Sequence, residues 1–233
     1  MVQDIYAAST VIQVFEGLVT YDGAGKPIPA LAESWSISPD ALTYTFHLRK
    51  GVKFHSGREV QAADVKYSIE RAANPKLESP TTANYLSSIK GISDVLAGKT
   101  KSISGIQVVN PMTLRITIDK PSPVFLSQLG YPCAFAVDRD FAKPDQIIVK
   151  ASQMVGAGPY RVAEFKPDQF IQLKAFDGYW GGKPPISTVD RPFSRDPQMS
   201  LNMFKTKEID LFNVDEANSV AIKADPAIKD QLL

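Results

Sequence analysis

Residues 43–49 alternate strictly between apolar and polar side chains, and no other feature of the sequence constrains the fold as much. One face carries Tyr44, Phe46 and Leu48, and the other carries Thr43, Thr45, His47 and Arg49. Successive side chains of a β-strand point to opposite sides of the sheet, so a period of two residues is typical of a half-buried strand. We therefore predict a strand here, followed by a turn at Lys50-Gly51.

The hydrophobic period lengthens to that of a helix after Gln61. Val65, Ile69 and Ala72 are spaced at i, i+4 and i+7, which places one apolar stripe along a helix. The pattern stops before Asn74-Pro75, a combination that ends helices. Strand, turn and helix in succession indicate that the chain mixes both kinds of secondary structure.

Two further pairs of β-rich segments are each separated by a short turn sequence. Ile106–Val109 and Leu114–Ile118 form one pair, and Tyr160–Phe165 and Phe170–Ala175 form the other. Each pair predicts an antiparallel hairpin. Two hairpins far apart in the sequence suggest two small sheets.

A second helix is predicted after Asp196-Pro197, because aspartate caps helix starts and proline fits the first turn. The apolar pattern continues through Met199 and Phe204 and then leads into a predicted strand at Ile209–Phe212. Together with the hairpins, this order of elements places the chain in the α/β class with mixed sheets.

Composition excludes several classes of protein. The chain has 26 lysine and arginine residues against 25 aspartate and glutamate residues, and they are scattered, so neither a nucleic-acid footprint nor a membrane-surface patch is predicted. No apolar run approaches the roughly 18 residues of a spanning helix, and we expect no signal peptide within residues 1–20. Cys133 is the only cysteine, which excludes an internal disulfide.

Two polar patterns resemble ligand sites but are better explained as loops. Gly156-Ala157-Gly158-Pro159-Tyr160 lacks the lysine and the following helix of a phosphate loop, so we predict a turn that feeds a strand. Asp138, Asp140 and Asp145 lack the central glycine and closing glutamate of a calcium loop. We expect a solvated acidic loop there.

Catalytic and metal-binding residue types are scarce. His47 and His55 are the only histidines, and both fall in one predicted hairpin, which argues against a histidine-based triad or metal pair. Cys133 has apolar neighbours and is interpreted as a small buried or cleft-edge residue. For Trp35 and Trp180 we favour structural packing over ligand stacking.

The stretch Leu31–Ser38, continued by Thr43–Gly57, resembles the signature of the extracellular solute-binding proteins, family 5, which include dipeptide, oligopeptide and nickel receptors. The resemblance extends to Phe15-Glu16-Gly17-Leu18, Ala62–Arg71, Gly158-Pro159-Tyr160, Asp177-Gly178-Tyr179-Trp180 and Glu208-Ile209-Asp210-Leu211. It implies a mixed-sheet lobe of the periplasmic-binding-protein fold, type II, in the peptide-receptor cluster. Family members are about twice as long, so residues 1–233 are expected to form an excised amino-terminal lobe, without the carboxy-terminal lobe and the signal segment.

The resemblance also implies subdomains and two local weaknesses. Residues 16–140 would form an inserted subdomain, and residues 141–233 with 1–15 would form the ligand-lobe subdomain. Gln61 stands where threonine is common and should cap its helix less well, by about 1 kcal/mol, although Asp64 partly compensates through the helix dipole. Lys207 replaces a glycine, and a left-handed helix cap there would cost about 1 kcal/mol.

Ligand-binding positions are predicted by the resemblance alone. An extended peptide would pair with a backbone strip in the manner of an added β-strand, and a frayed terminus is the alternative for this strip. Further cleft positions are implied in the segment Tyr131–Cys133 and just after the Glu-Ile-Asp motif. The predicted residues are Gln3, Asp4, Ile5 and Tyr6 in the strip, Tyr131 and Cys133 in the segment 131–133, and Phe212 and Asn213 after residue 211.

The resemblance implies a substrate-binding component of an ABC importer that captures di- or oligopeptides between two lobes by hinge closure. Its partners would be the peptide and a membrane permease. We expect no catalytic residue, cofactor, metal or nucleic-acid partner. The receptor would be a monomer, either periplasmic or anchored to the outer side of the membrane. The sequence does not distinguish a peptide ligand from a nickel, sugar or opine ligand. The alternatives are a sensory domain on the same fold and an enzyme that uses carboxylates such as Asp64, Glu70 or Asp210.

Overall fold

The computed structural model describes residues 5–193, 196–214 and 216–226 together with residues 228 and 231. Within this part of the chain there are seven α-helices: α1 (Ile5–Val14), α2 (Ala62–Ala72), α3 (Thr82–Leu86), α4 (Ile92–Leu96), α5 (Phe125–Gln128), α6 (Pro197–Lys205) and α7 (Glu216–Ala224). The strands are β1 (Val19–Tyr21), β2 (Pro27–Pro29), β3 (Ala32–Ile37), β4 (Thr43–Leu48), β5 (Ile106–Asn110), β6 (Thr113–Thr117), β7 (Tyr160–Lys166), β8 (Phe170–Ala175) and β9 (Thr188–Pro192).

The largest sheet is antiparallel, with four strands in the order β3-β4-β6-β5. Its second strand, β4, is the predicted half-buried strand, and Tyr44, Phe46 and Leu48 are buried as the alternation predicts. Phe46 lies opposite Trp35 on one neighbour and Leu114 on the other. The β5–β6 hairpin is also confirmed by its antiparallel register.

Helix α2 contacts β5 and β6 and closes the core on one side of this sheet. Val65 and Ile69 are fully buried, as predicted, while Ala72 is only half-buried and Ala73 takes the last buried position. Each large apolar side chain removed from water in this way contributes about 1.5–3 kcal/mol. The hydrophobic stripe of α2 therefore fixes the helix on the sheet.

The start of α2 shows how the weak cap at Gln61 is compensated. The Gln61 side chain makes no capping hydrogen bond, as its residue type predicts. Instead, the Asp64 carboxylate accepts a hydrogen bond from the Gln61 backbone N–H at 2.9 Å, which is half of a capping box. Compensation by Asp64 thus includes a direct hydrogen bond as well as an effect on the helix dipole.

Two smaller sheets complete the described structure. β1 pairs with β2, and a three-stranded sheet has the order β7-β8-β9, so the two segments of the second predicted hairpin are neighbours. Tyr160 at the start of β7 is buried and donates a hydrogen bond to the Ile186 carbonyl at 3.0 Å. None of the described helices is both long enough and apolar enough to span a membrane.

Contacts divide the chain into two compact units. The first contains the described residues up to Phe165 together with Gln172–Val189, and the second contains Lys166–Ile171 and the described residues from Asp190 onward. The second unit has its own small core of Leu201, Ile222 and Ile228, with Phe204 and Phe212 packed against it. The contact boundaries differ from the predicted boundary at residue 140, and the subdomain assignment stays a prediction.

Helix α6 ends in the left-handed cap that the sequence suggested. Lys207 has φ = 62°, its N–H bonds to the Phe204 carbonyl at 3.1 Å, and the Glu208 N–H bonds to the Met203 carbonyl at 2.8 Å. These two bonds define a Schellman motif, in which glycine is the preferred left-handed residue. Lysine therefore holds a conformation that its side chain disfavours.

The strand predicted at Ile209–Phe212 is wrong. No strand is assigned to these residues, and the Ile209 N–H points back to the Met203 carbonyl at 3.4 Å. Leu211 is 73% exposed. A β-strand requires a neighbouring strand for its backbone groups, and the sequence pattern records apolar character without revealing whether such a neighbour exists.

Candidate ligand-binding surface

Tyr131 and Cys133 lie in one short helical turn, Pro132–Ala134, for which Tyr131 is the N-terminal cap residue. The Tyr131 ring stacks on Tyr85 of α3, with ring centroids 3.8 Å apart and planes within 9°. Proline in the first turn fixes the backbone that presents the ring. This turn and its stacked partner hold two predicted ligand residues in one defined geometry.

Tyr21 and Cys133 complete this group, which we name the tyrosine surface: Tyr21, Tyr85, Tyr131 and Cys133. The Tyr21 hydroxyl donates to the Ser127 carbonyl, and a Cβ at Gly130 would lie only 2.6 Å from the Tyr21 ring, so glycine lets the ring pack closely there. Burial raises the pKa of Cys133 to about 12. The thiol is therefore protonated at neutral pH and is unsuited to nucleophilic chemistry.

The predicted backbone strip is only partly described. Gln3 and Asp4 lie outside the described residues, whereas Ile5 and Tyr6 are the first residues of α1. The expectation of an extended strip is therefore wrong for Ile5 and Tyr6, since helical backbone cannot pair as a β-strand. The helix before the Phe-Glu-Gly-Leu motif begins earlier than the family resemblance implied.

Phe212 and Asn213 belong to the second unit. The Phe212 ring is partly buried and lies 5.0 Å from the Phe204 ring, so its packing partner is α6. Asn213 is exposed. The structure thus brings Tyr131 and Cys133 together in one turn. Phe212 packs against the separate hydrophobic core of the second unit, and Asn213 is the next residue in the sequence. The ligand role of all four residues stays a prediction.

A cluster that the sequence argument missed joins two family motifs inside the first unit. The Glu16 carboxylate accepts hydrogen bonds from Trp180 Nε1 at 2.7 Å and from the Tyr179 hydroxyl at 3.2 Å. The Arg49 guanidinium lies over the Trp180 ring, 4.2 Å from its centroid. Burial raises the pKa of Glu16 to about 7. Trp180 thus packs and donates a hydrogen bond inside the protein. The only sequence signal for this cluster was that the motifs containing Glu16 and Trp180 both recur in one family.

Arg58 organises a second polar cluster, and it corrects the prediction of a solvated acidic loop. Its guanidinium contacts Asp64 Oδ2 at 2.9 Å and Asp138 Oδ1 at 2.7 Å, and both carboxylates are fully buried. Burial alone would raise the pKa of Asp138, but hydrogen bonds from Ser56 and Arg58 outweigh it and lower the pKa. Asp140 is exposed, as expected. Asp138 has a structural partner that is distant in sequence and was therefore not anticipated.

His55 has a structural role in the turn before β7. Its Nδ1 accepts a hydrogen bond from the Gly156 N–H at 3.3 Å, so Nε2 carries the proton that bonds to the Gly158 carbonyl at 2.9 Å. Burial lowers the pKa of His55, which favours this neutral form. A Cβ at Gly156 would lie 2.1 Å from the Val14 carbonyl oxygen. The glycines therefore permit close packing, and the predicted turn feeding a strand is confirmed.

The carboxylates of the enzymatic alternative are largely engaged in structure. Asp64 pairs with Arg58, and Glu70 accepts hydrogen bonds from the Ser102 hydroxyl at 2.8 Å and the Ile103 N–H at 2.9 Å. Asp210 is exposed. Among the described residues, no group of three or more histidine, cysteine, aspartate or glutamate side chains could hold a metal ion. Asp64 and Glu70 are therefore structural partners within the first unit.

Comparison with known proteins identifies the family. The sequence profile described as "Bacterial extracellular solute-binding proteins, family 5 Middle" matches residues 26–232. The chain belongs to this family. A family 5 relative, the dipeptide-binding protein of Escherichia coli K12, is 33% identical over 220 residues, which cover 87% of this chain and 39% of that protein. Heme-binding protein A of Haemophilus influenzae is 34% identical over 195 residues, or 76% of this chain and 34% of that protein.

The fold agrees with the assignment to family 5. The structure of Listeria monocytogenes OppA bound to peptide superposes with a TM-score of 0.87 at 27% identity, covering 97% of this chain and 45% of that one. The predicted class, an α/β lobe of the peptide-receptor type with mixed sheets, is thereby confirmed. This chain spans less than half the length of these relatives.

Proposed function

We propose that this chain is the amino-terminal lobe of a substrate-binding receptor that captures di- or oligopeptides for an ABC importer. The observation that carries this proposal is the 0.87 TM-score superposition on a family 5 structure bound to peptide. Relatives named as binding proteins, and the engagement of the candidate carboxylates in structural contacts, support a receptor over an enzyme. The receptor would act as a monomer and pass its ligand to a membrane permease. It would be periplasmic or anchored to the outer side of the membrane.

Within this proposal the tyrosine surface contacts the ligand. Three tyrosines provide apolar faces with hydroxyl groups at their edges, a combination that binds varied peptide side chains at small entropic cost. The Tyr85 and Tyr131 rings pack face to face, and this contact restricts their rotamers. Preorganised contacts of this kind improve affinity because less conformational freedom is lost on binding.

Heme is the second candidate ligand, because heme-binding protein A of Haemophilus influenzae is 34% identical to this chain. A flat aromatic ligand would also suit a surface of tyrosine rings. Histidine and tyrosine can both be axial ligands of heme iron; His55 uses both ring nitrogens in hydrogen bonds to the turn at Gly156–Gly158, whereas His47 is exposed on β4. Peptide is the better supported ligand because the structure bound to peptide superposes on 97% of this chain.

Native mass spectrometry of the complete gene product, incubated with a peptide pool or with hemin, tests the function. We expect peptides to be retained and released with unchanged mass. Tyr131→Ala should weaken the tightest peptide about tenfold, and Tyr131→Phe should retain the stacking and most of the affinity. Phe141→Ala, which removes an exposed aromatic ring outside the tyrosine surface, is the control. Cleaved peptides would support an enzyme, and retention of hemin alone would support the second candidate.

A further inference from the structure

Glu16 is connected both to the turn that carries Tyr131 and Cys133 and to the Tyr179-Trp180 motif. We propose that Glu16 is a positioning residue, which couples its own protonation to the geometry of the Tyr131–Cys133 turn. The link between Glu16 and the turn is independent of what the surface binds. Only the consequence for ligand affinity rests on the proposed function.

The backbone of Glu16 is the first link. Its carbonyl accepts a hydrogen bond from the Ala136 N–H at 2.9 Å, in an isolated antiparallel bridge. The next residue, Gly17, packs so closely on Phe135 that a Cβ would lie 2.8 Å from the phenyl ring. Phe135 and Ala136 directly follow the turn Pro132–Ala134. A shift of the Glu16 backbone must therefore move the end of this turn.

The side chain of Glu16 is the second link. When the carboxylate is ionised, its bonds from Trp180 Nε1 and the Tyr179 hydroxyl are charge-assisted and about twice as strong as neutral hydrogen bonds. When Glu16 is protonated, its own O–H needs an acceptor, and the Tyr179 oxygen already lies at hydrogen-bond distance. The Tyr179 bond then reverses direction, and the Trp180 bond loses its charge assistance. Protonation thus loosens the anchor of Glu16.

A small number of neighbouring groups determine the protonation equilibrium of Glu16. Burial favours the protonated form, whereas the Trp180 and Tyr179 hydrogen bonds and the Arg49 guanidinium favour the ionised form. The balance places the pKa of Glu16 at about 7, so both forms are populated near neutral pH. An open cleft of about 470 Å³, lined by Glu33, Arg49, Lys50, Val52 and Trp180, brings water to the edge of the cluster. Protons can therefore exchange without unfolding.

Ligand affinity should follow the ionised form if the proposed function holds. The ionised carboxylate fixes the turn most firmly, so binding to a fixed turn loses less conformational freedom. By reciprocity, bound ligand lowers the pKa of Glu16 by the amount that ionisation strengthens binding. We expect peptide affinity to increase about fivefold between pH 5.5 and pH 8.5, the lower end of typical couplings between sites.

Nuclear magnetic resonance of this chain tests the coupling without any ligand. The Glu16 carboxyl carbon and the backbone amides of residue 131 and residues 133–136 should titrate with one shared midpoint near pH 7. Glu16→Gln should abolish the amide titration, and Glu33→Gln, which removes an exposed carboxylate at the same cleft, should leave it unchanged. Tyr179→Phe removes one stabilising donor and should move the midpoint to higher pH. Amides that stay constant while Glu16 titrates would overturn the proposal.

Calorimetric titration of the complete protein with peptide tests the consequence for affinity. Wild type should bind more tightly at pH 8.5 than at pH 5.5, and Glu16→Gln should show no such increase. His55 is retained in both proteins, so its titration cancels in the comparison. A pH-independent affinity in wild type would overturn the regulatory part of the proposal. Absence of peptide binding at every pH would instead contradict the proposed function, and the amide titration would still decide the positioning role.

Discussion

Arg58 shows at the residue scale how one side chain permits buried charge in this protein. Asp64 and Asp138 have no exposed surface, yet each lies within 2.9 Å of the Arg58 guanidinium. Uncompensated buried carboxylates are costly, whereas a planar guanidinium can bond to two of them at once. Arg58 therefore joins the start of α2 to the loop at residue 138.

Replacing Arg58 with methionine should destabilise the first unit by about 3 kcal/mol at pH 7, because two buried carboxylates lose their contact with the guanidinium. Because the pKa of Asp138 is lowered, the ionised carboxylate contributes to the free energy of unfolding at neutral pH. This contribution is lost as the pH falls through and below about 4. The destabilisation should therefore be smaller at pH 3 than at pH 7, as measured by urea unfolding. Lys66→Met, which breaks a partly exposed pair with Glu70, should cost less than about 1 kcal/mol. An equal loss in both variants would contradict this account.

Cys133 should be chemically inert in the folded protein. Its pKa of about 12 leaves almost no thiolate at pH 8, where an unperturbed cysteine is substantially ionised. Alkylation by iodoacetamide should be at least about 100-fold slower in the native chain than in the same chain unfolded in urea. Cys133→Ala should change stability by less than about 2 kcal/mol. Rapid labelling of the native thiol would show that it is activated and would reopen a catalytic role.

At the element scale, local patterns predicted those elements whose hydrophobic period is regular, even where their partners are distant in sequence. The alternation of Tyr44, Phe46 and Leu48 was sufficient for β4, and the spacing of Val65 and Ile69 was sufficient for α2. The segment after α6 failed because strand formation depends on a partner that the segment itself does not encode. Helix α1 was missed for a different reason, because the resemblance implied an extended strip where the helix begins at Ile5.

The end of α6 offers a direct test of element stability. Lys207→Gly should stabilise this helix end by about 1 kcal/mol, because glycine adopts the left-handed conformation without steric cost. Native-state hydrogen exchange at the Glu208 amide, which bonds to the Met203 carbonyl, reports this change. Lys207→Ala retains a Cβ and should give no comparable gain. Unchanged exchange in the glycine variant would show that the left-handed residue is not strained.

At the scale of the whole molecule, sequence motifs were sufficient for the family and the fold class but not for the site. Tyr131 and Cys133 were predicted as ligand residues, but their stacked partner Tyr85 and the anchor at Glu16 were not. Such groups meet only through tertiary packing, across separations such as the 164 residues between Glu16 and Trp180. Periodicity carries no information at that distance, so these contacts required the structure.

The central claim is that this chain is one lobe of a receptor that closes on its ligand with a second lobe. If the claim is right, the chain folds but offers only part of the contacts, and losing two or three hydrogen bonds or apolar contacts weakens binding about 1,000-fold. Calorimetric titration of this chain and of the complete gene product with one peptide is the most direct test. We predict micromolar binding by the complete protein and roughly millimolar binding by this chain. Equal affinities would contradict the two-lobe account and indicate a self-contained site.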